Sequence, residues 1–432
     1  MRSPSPFLVI VLSAAWLLAA CGGDPPRESG TIALQAWAHA GQEAERDTLR
    51  AQVARFNRER EDVRVRLRFI PEGSYDAQVQ AAAVAGDLPD LLEFDGPFLY
   101  RYVWQGHLVP LEDYLPPDLV DDLLPSLLAQ GRYRGRLYSV GVFDSGLALY
   151  ADHARLREVG ARIPDSPGDA WTLETFEGLL RDLAARDPDG AVLDLKLDYA
   201  GEWYSYAFSP LLQSAGGDLI DRETYRSASG VLNGPAAVRA LRVVQSWIRA
   251  GRVDPNLDGV AFVEGRVALA LGGHWNYTAY RKAYGDELLL LPLPDFGRGT
   301  RSGQGSWNWA VTRHCPHPQA AADFLAFLLQ PEEVLAMSRA NGAVPGTRRA
   351  VARSERFREG GPLRLFVDQL VEGYTVPRPR TPAYPVISAE FQRAFDRIRA
   401  GGDVRQALDR AARAIDREIE DNRGYPWVWE EE

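Results

Sequence analysis

The chain has 432 residues, 46% hydrophobic and 25% charged, with a formal net charge of −10. That length exceeds one ordinary domain and predicts two lobes with sizeable cores. The acidic balance disfavours nucleic acid as a partner, whose binding rests on neutralising phosphates, and two cysteines cannot form a disulfide framework.

Residues 1–20 read as a signal peptide. Arg2 gives the positive start, residues 7–18 an apolar run too short to span a membrane, and Leu18-Ala19-Ala20-Cys21 fits a bacterial lipobox. Cleavage before Cys21 and lipid on its thiol would anchor the protein to a membrane, with residues 21–30 as a flexible tether. The mature chain would carry 48 basic and 59 acidic residues, a net of −11. Cys315 is then the one free thiol, and its HCPH surroundings, residues 314–317, offer too few ligands for a structural metal site. We expect no metal and no cofactor.

Residues 31–37 alternate Ile32, Leu34 and Ala36 with polar positions and predict a first strand that delivers Trp37 to its end. A helix with Leu49, Val53 and Phe56 inward follows, then a strand in which Val63, Val65, Leu67 and Phe69 alternate with arginines up to Pro71. A helix over residues 75–85 stops at Gly86, and Pro89 opens a strand through Leu91, Leu92 and Phe94 that sets Asp95 at its carboxyl end. Thr172 caps a helix whose buried stripe is Leu173, Phe176, Leu180 and Leu183. Residues 202–206, EWYSY, gather a carboxylate and three aromatics before Pro210. Pro235 and Gly251 bound a helix with Val238, Leu241, Val244 and Trp247 inward.

Residues 262–275, FVEGRVALALGGHW, predict a helix end stopped by Gly265, a buried parallel strand over residues 267–271, and a glycine turn leading to Trp275. Ligand crevices in open α/β sheets lie beyond the strands' carboxyl ends, so Trp275 reads either as a ligand platform or as a core residue closing a strand. Residues 288–295 form a buried strand into a proline turn, 303–311 another strand, and 318–329 a helix. Phe391, Phe395 and Ile398 lie on a helix stopped by Gly401-Gly402, and Asp403 caps the last helix. The tail from Tyr425 fits no element.

These motifs, in this order over residues 31–420, resemble extracellular solute-binding proteins, family 1, the maltose-binding-protein-like lipoproteins of carbohydrate ABC transporters. The stretches that carry the resemblance are AGDLPDLLEFD (85–95), WQGHLVPLEDYL (104–115), GRLYSVGVFDSGLALYAD (135–152), LLQSAGGDLI (211–220), FVEGRVALALGGHW, GQGSWNWAV (303–311) and NGAVPGTRRA (341–350). Ala151-Asp152 departs from the family's asparagine. The resemblance implies an α/β, two-lobed periplasmic-binding-protein fold of type II, each lobe a sheet flanked by helices, with the ligand cleft at the hinge. Lobe one would span 31–143 and 277–345, lobe two 144–276 and 346–424, and 425–432 would form an aromatic-acidic tail.

A sugar site combines flat aromatic surfaces with fixed carboxylates and amides. Trp37, Trp275, Trp307 and Asp95 fall where strands end. The resemblance adds Phe143 and Asp144 at the cleft floor, Glu202, Trp203 and Tyr204 as sugar contacts, and Tyr384 by family position; core packing is the competing role for the aromatics. It implies a monomeric, extracytoplasmic, non-catalytic component of a carbohydrate ABC importer, in the periplasm or at the cell surface. Such a protein binds a sugar or oligosaccharide between its lobes and delivers it to the permease transmembrane subunits. Alternatives are a secreted carbohydrate-active enzyme or a solute-presenting sensor lipoprotein. No Ser-His-Asp, HExxH or phosphate-binding glycine-rich arrangement is evident.

Overall fold

The computed structural model describes residues 30–427. The signal peptide, Cys21, all of the tether but Gly30, and tail residues 428–432 lie outside the described residues.

Alternation builds the first sheet. In Ile32–His39, Leu34, Ala36 and Ala38 face one core while Trp37 faces the other. The strand pairs in parallel with Val63–Ile70 on one side and Leu91–Asp95 on the other, and Trp307–Val311 closes the sheet antiparallel to Leu91–Asp95. Helices Glu43–Glu59 and Pro318–Leu328 cover one face, helices Glu72–Ala85 and Leu99–Trp104 the other.

The second sheet runs Leu288–Leu291, Leu147–Asp152, Leu269–Gly273, Leu193–Asp194. Leu147, Leu149 and Ala151 face a core shared with helices Leu173–Ala184, Glu202–Ser214, Pro235–Arg249, Tyr384–Arg399 and Val404–Asp421. Ala148 and Tyr150 face the opposite core, with Tyr280 and Phe366. The helix caps at Thr172 and Asp403 form, each side chain accepting from the backbone N–H three residues on.

Three expectations change. Residues 261–265 form turns, not a helix end, with Gly265 at φ 72°. Leu269–Gly273 is not purely parallel: it pairs antiparallel with Leu147–Asp152 and parallel with Leu193–Asp194. The chain also does not return to the first sheet after Trp275, because Leu288–Leu291 pairs antiparallel with residues 149–152. Residues 277–301, assigned to lobe one, therefore belong with the second sheet. The crossings are made by short strands: Phe143–Asp144 lies antiparallel to Val344–Pro345, and Ser302–Gln304 lies parallel to Thr375–Pro377.

The start of the tail straps the two halves together. Tyr425 packs in the second core, its ring edge-on to Trp104 at 5.1 Å, and the Trp104 indole N–H donates to the Pro426 carbonyl at 2.9 Å. Trp427 meets Tyr133 at 5.9 Å, with Arg134 5.0 Å over its ring. We predict that Tyr425→Ala costs about 3 kcal/mol and lowers the melting temperature by several degrees. An unchanged scanning-calorimetry melt would show that this contact is not part of the folded core.

Candidate functional site

One arginine stands between the sheets. Arg378 follows the crossing strand Thr375–Pro377 and is flanked by Pro377 and Pro379, which fix its backbone in an extended path. Its guanidinium is 5% exposed and forms a two-pronged ion pair with Asp95, one prong at 2.6 Å. It also donates to Glu202 at 2.9 Å. Asp95 ends a first-sheet strand, and Glu202 starts a helix of the second lobe, where its charge suits the helix dipole. The aromatic ring of Tyr206 lies 5.2 Å from the guanidinium and that of Tyr384 5.9 Å. Gly305 makes room: a Cβ there would collide with the arginine's Nη2.

Glu202 is supported from behind. Tyr384 O–H donates to its carboxylate, and Ser205 donates at 3.3 Å. Burial pushes the Glu202 carboxyl up, with Arg378 opposing and Asp95 adding to the rise. Asp76, on helix Glu72–Ala85, interacts with the same charges. Burial, followed by repulsion from Glu202 and Asp95, raises its carboxyl to about 8.

Aromatics flank this centre from both lobes. Trp307 is directly opposite Asp95 across the antiparallel pair, so the two side chains share one side of the sheet. Its indole stacks on His39 at 3.8 Å with 6° between planes, and meets Tyr75 edge-on at 5.3 Å. In the second lobe, Trp275 folds back over Gly273, where a Cβ would overlap its ring. Its indole lies 6.2 Å from both Trp203 and Tyr206, and its N–H donates to Tyr199 O–H at 3.4 Å. The Gln42 amide donates to the Trp275 carbonyl at 3.2 Å, joining the lobes directly.

The structure thus brings together Asp95, Glu202, Tyr384, Trp275 and Trp307. The other five expected residues lie elsewhere. Trp37 stands two residues short of its strand's end, because the strand runs on to His39; Arg68 covers its ring at 4.9 Å. Phe143 is buried in the first core, edge-on to His274. Asp144 is fully buried in the crossing strand, bonded to the Ser145 N–H at 2.7 Å, and burial raises its carboxyl to about 6. Residues 202–206 belong to a helix, so consecutive side chains diverge. Trp203 is buried behind Trp275 with its N–H on the Leu195 carbonyl at 3.2 Å, and Tyr204 packs on Phe208 and Phe395 in the second core.

Sequence reasoning missed Arg378, His39 and Asp76, and it named Tyr206 only as a member of the EWYSY cluster. Tyr206 had a signal, since it lies one helical turn beyond Glu202. His39 had one too, as the next residue after Trp37 on the same strand face. Arg378 had none. Among the described residues no group of three or more His, Cys, Asp or Glu could hold a metal ion, and no helix is long and apolar enough to cross a membrane.

The sequence profile of the bacterial extracellular solute-binding protein family matches residues 51–360. An uncharacterized lipoprotein in the oleD 5′ region of Streptomyces antibioticus is 26% identical over 347 residues, 76% of this chain and 73% of the relative. The maltodextrin-binding protein MdxE of Bacillus subtilis is 22% identical over 397 residues, 86% of this chain and 87% of the relative. Among solved structures, the cyclic α-maltosyl-1,6-maltose binding protein of Arthrobacter globiformis superimposes with a TM-score of 0.74 at 24% identity, covering 91% of this chain and 100% of that one. The GacH receptor of Streptomyces glaucescens does so with 0.75 at 21%, covering 92% and 100%.

Two predictions follow from the charges. Arg378→Gln leaves Asp95 and Glu202 facing each other without a counter-ion and should cost about 3–5 kcal/mol in urea unfolding. Adding Asp95→Asn and Glu202→Gln should recover much of that loss; no recovery would mean that the arginine acts through packing alone. Asp76 has its pKa raised above the unfolded value, so the stability it contributes is complete at acid pH and is lost as pH rises through about 8. Asp76→Asn should flatten the fall in melting temperature between about pH 4 and pH 8, and an identical slope would refute the assignment.

Proposed function

This chain belongs to the bacterial extracellular solute-binding protein family, and from that premise we propose that it captures a sugar or oligosaccharide between its lobes and delivers it to the permease subunits of an ABC importer. The observation that carries the reading is the pairing of Asp95 and Glu202, one from each lobe, on a single guanidinium between the aromatic faces of Trp307 and Trp275. Carboxylates held in this way are fixed acceptors for sugar hydroxyls, and indoles beside them suit the C–H faces of a pyranose. The proposed ligand contacts are Asp95, Glu202, Trp275, Trp307 and Tyr206, with Arg378 and Tyr384 holding the carboxylates.

The same geometry favours binding over catalysis. A glycosidase needs one carboxyl free to give a proton and another free to attack or to activate water. Here both share Arg378, and Tyr384 occupies Glu202 further. The lipobox at Cys21 and the lipoprotein relative support lipid anchoring outside the cytoplasmic membrane. The working unit is proposed to be a monomer that meets the permease by closing over its ligand.

The test is thermal unfolding of residues 22–432 with maltose, maltotriose, mannotriose, raffinose, glucose or galactose. A sugar at a hundred times its Kd adds about 2.7 kcal/mol, enough to raise the melting temperature by several degrees. The expected result is a shift with one sugar that Trp275→Ala abolishes, with the sugar recovered intact. Recovery of cleaved sugar would overturn the reading in favour of an enzyme, and a flat response to the whole panel would overturn the sugar assignment.

A further inference from the structure

His39 is a buried histidine with two carboxylates. Its Nδ1 lies 2.7 Å from Glu93 Oε2 and its Nε2 3.7 Å from Glu45 Oε2, while its own backbone N–H donates to Glu93 at 3.1 Å. The Asn341 amide holds the far oxygen of Glu45 at 3.2 Å. Glu93 therefore holds one nitrogen by a hydrogen bond and Glu45 pairs with the other at longer range, and against the ring plane lies the indole of Trp307, almost parallel. Tyr75 closes one edge of the indole and bonds the Glu93 carbonyl through its own hydroxyl. Trp307 remains partly exposed.

We propose that His39 is a positioning residue of the ligand site: gripped by Glu93 and Glu45, its ring backs Trp307 and holds the indole as a fixed platform beside Asp95. The inference rests on the sugar-binding reading and deepens it. A large side chain at the mouth of a cleft keeps rotamer freedom that binding must remove, and a rigid backing removes it beforehand. Burial works against charge on His39, yet Glu93 and Glu45 carry its pKa well above the ordinary imidazole value. Glu72, on the helix packed over this face, also interacts with it. His274, the other histidine near Glu45, is held by burial at about 4 and stays neutral. A protonated ring can donate at both nitrogens, whereas a neutral ring releases one carboxylate. The grip is therefore complete at neutral pH and is lost as pH rises through the raised pKa.

The experiment is calorimetric titration of the panel sugar that binds wild type, maltotriose first, into wild type, His39→Gln, His39→Arg, Trp307→Ala and the double variant His39→Gln/Trp307→Ala. Loss of an aromatic anchor should weaken binding about 30-fold, and loss of its backing about tenfold. His39→Arg, planar and cationic, should bind close to wild type, which guards against a His39→Gln protein that folds poorly. The double variant should be no weaker than Trp307→Ala, and His39→Gln should lack the alkaline fall in affinity expected of wild type. Wild-type affinity in His39→Gln, or losses that add in the double variant, would overturn the positioning role while leaving the sugar reading intact. A panel in which nothing binds wild type overturns that reading and this role with it.

Discussion

The arrangement of the site depends on one guanidinium that two carboxylates share. Asp95 comes from a strand end of the first sheet and Glu202 from a helix start of the second, and neither has another cation as close as Arg378 among the described residues. Removing three charged groups from water costs several kcal/mol each before their attraction repays it, so such a cluster is weak evidence for stability. Its consequence is geometric. The arginine fixes where two carboxylates from different lobes stand relative to each other, and Pro377, Pro379 and Gly305 fix where the arginine stands.

Around that centre the aromatic residues divide by exposure. Those that are fully buried, such as Tyr204 with Phe208 and Phe395, hold the second core; the half-buried Trp275 and Trp307 keep a face at the junction of the lobes. Each platform has a rigid support: Trp203 and Tyr199 behind Trp275, His39 and Tyr75 beside Trp307. Both supports are polar as well as flat, so they resist rotation through hydrogen bonds and not through packing alone.

Much of the fold was legible because period and punctuation are local. Alternation in residues 32–39 and 63–70, the caps at Thr172 and Asp403, and the stop at Gly86 could be read without any knowledge of distant chain. The site was less legible. EWYSY was read as one cluster, but a helix sends its members apart, so Glu202 and Tyr206 reach the site while Trp203 and Tyr204 support the core. The resemblance put Asp144 at the cleft floor, and nothing in its sequence neighbours reveals that Val344–Pro345 will pair with the strand that bears it. The return crossing was misplaced for a similar reason. An apolar run such as Leu288–Leu291 pairs equally well in either sheet, and only tertiary register decides which. Arg378 is the extreme case, a single residue whose meaning is set by two partners more than 170 positions away.

The crossings have a consequence for how the molecule is made. The first sheet lacks its edge strand until Trp307–Val311 is synthesised, and the second core lacks two of its helices until residue 421. Each half completes its core only late in the chain, since the contacts that close it are distant in sequence. The last of these contacts can form only as translation nears its end. That is the condition in which a polypeptide can still be threaded, extended, through a translocation pore.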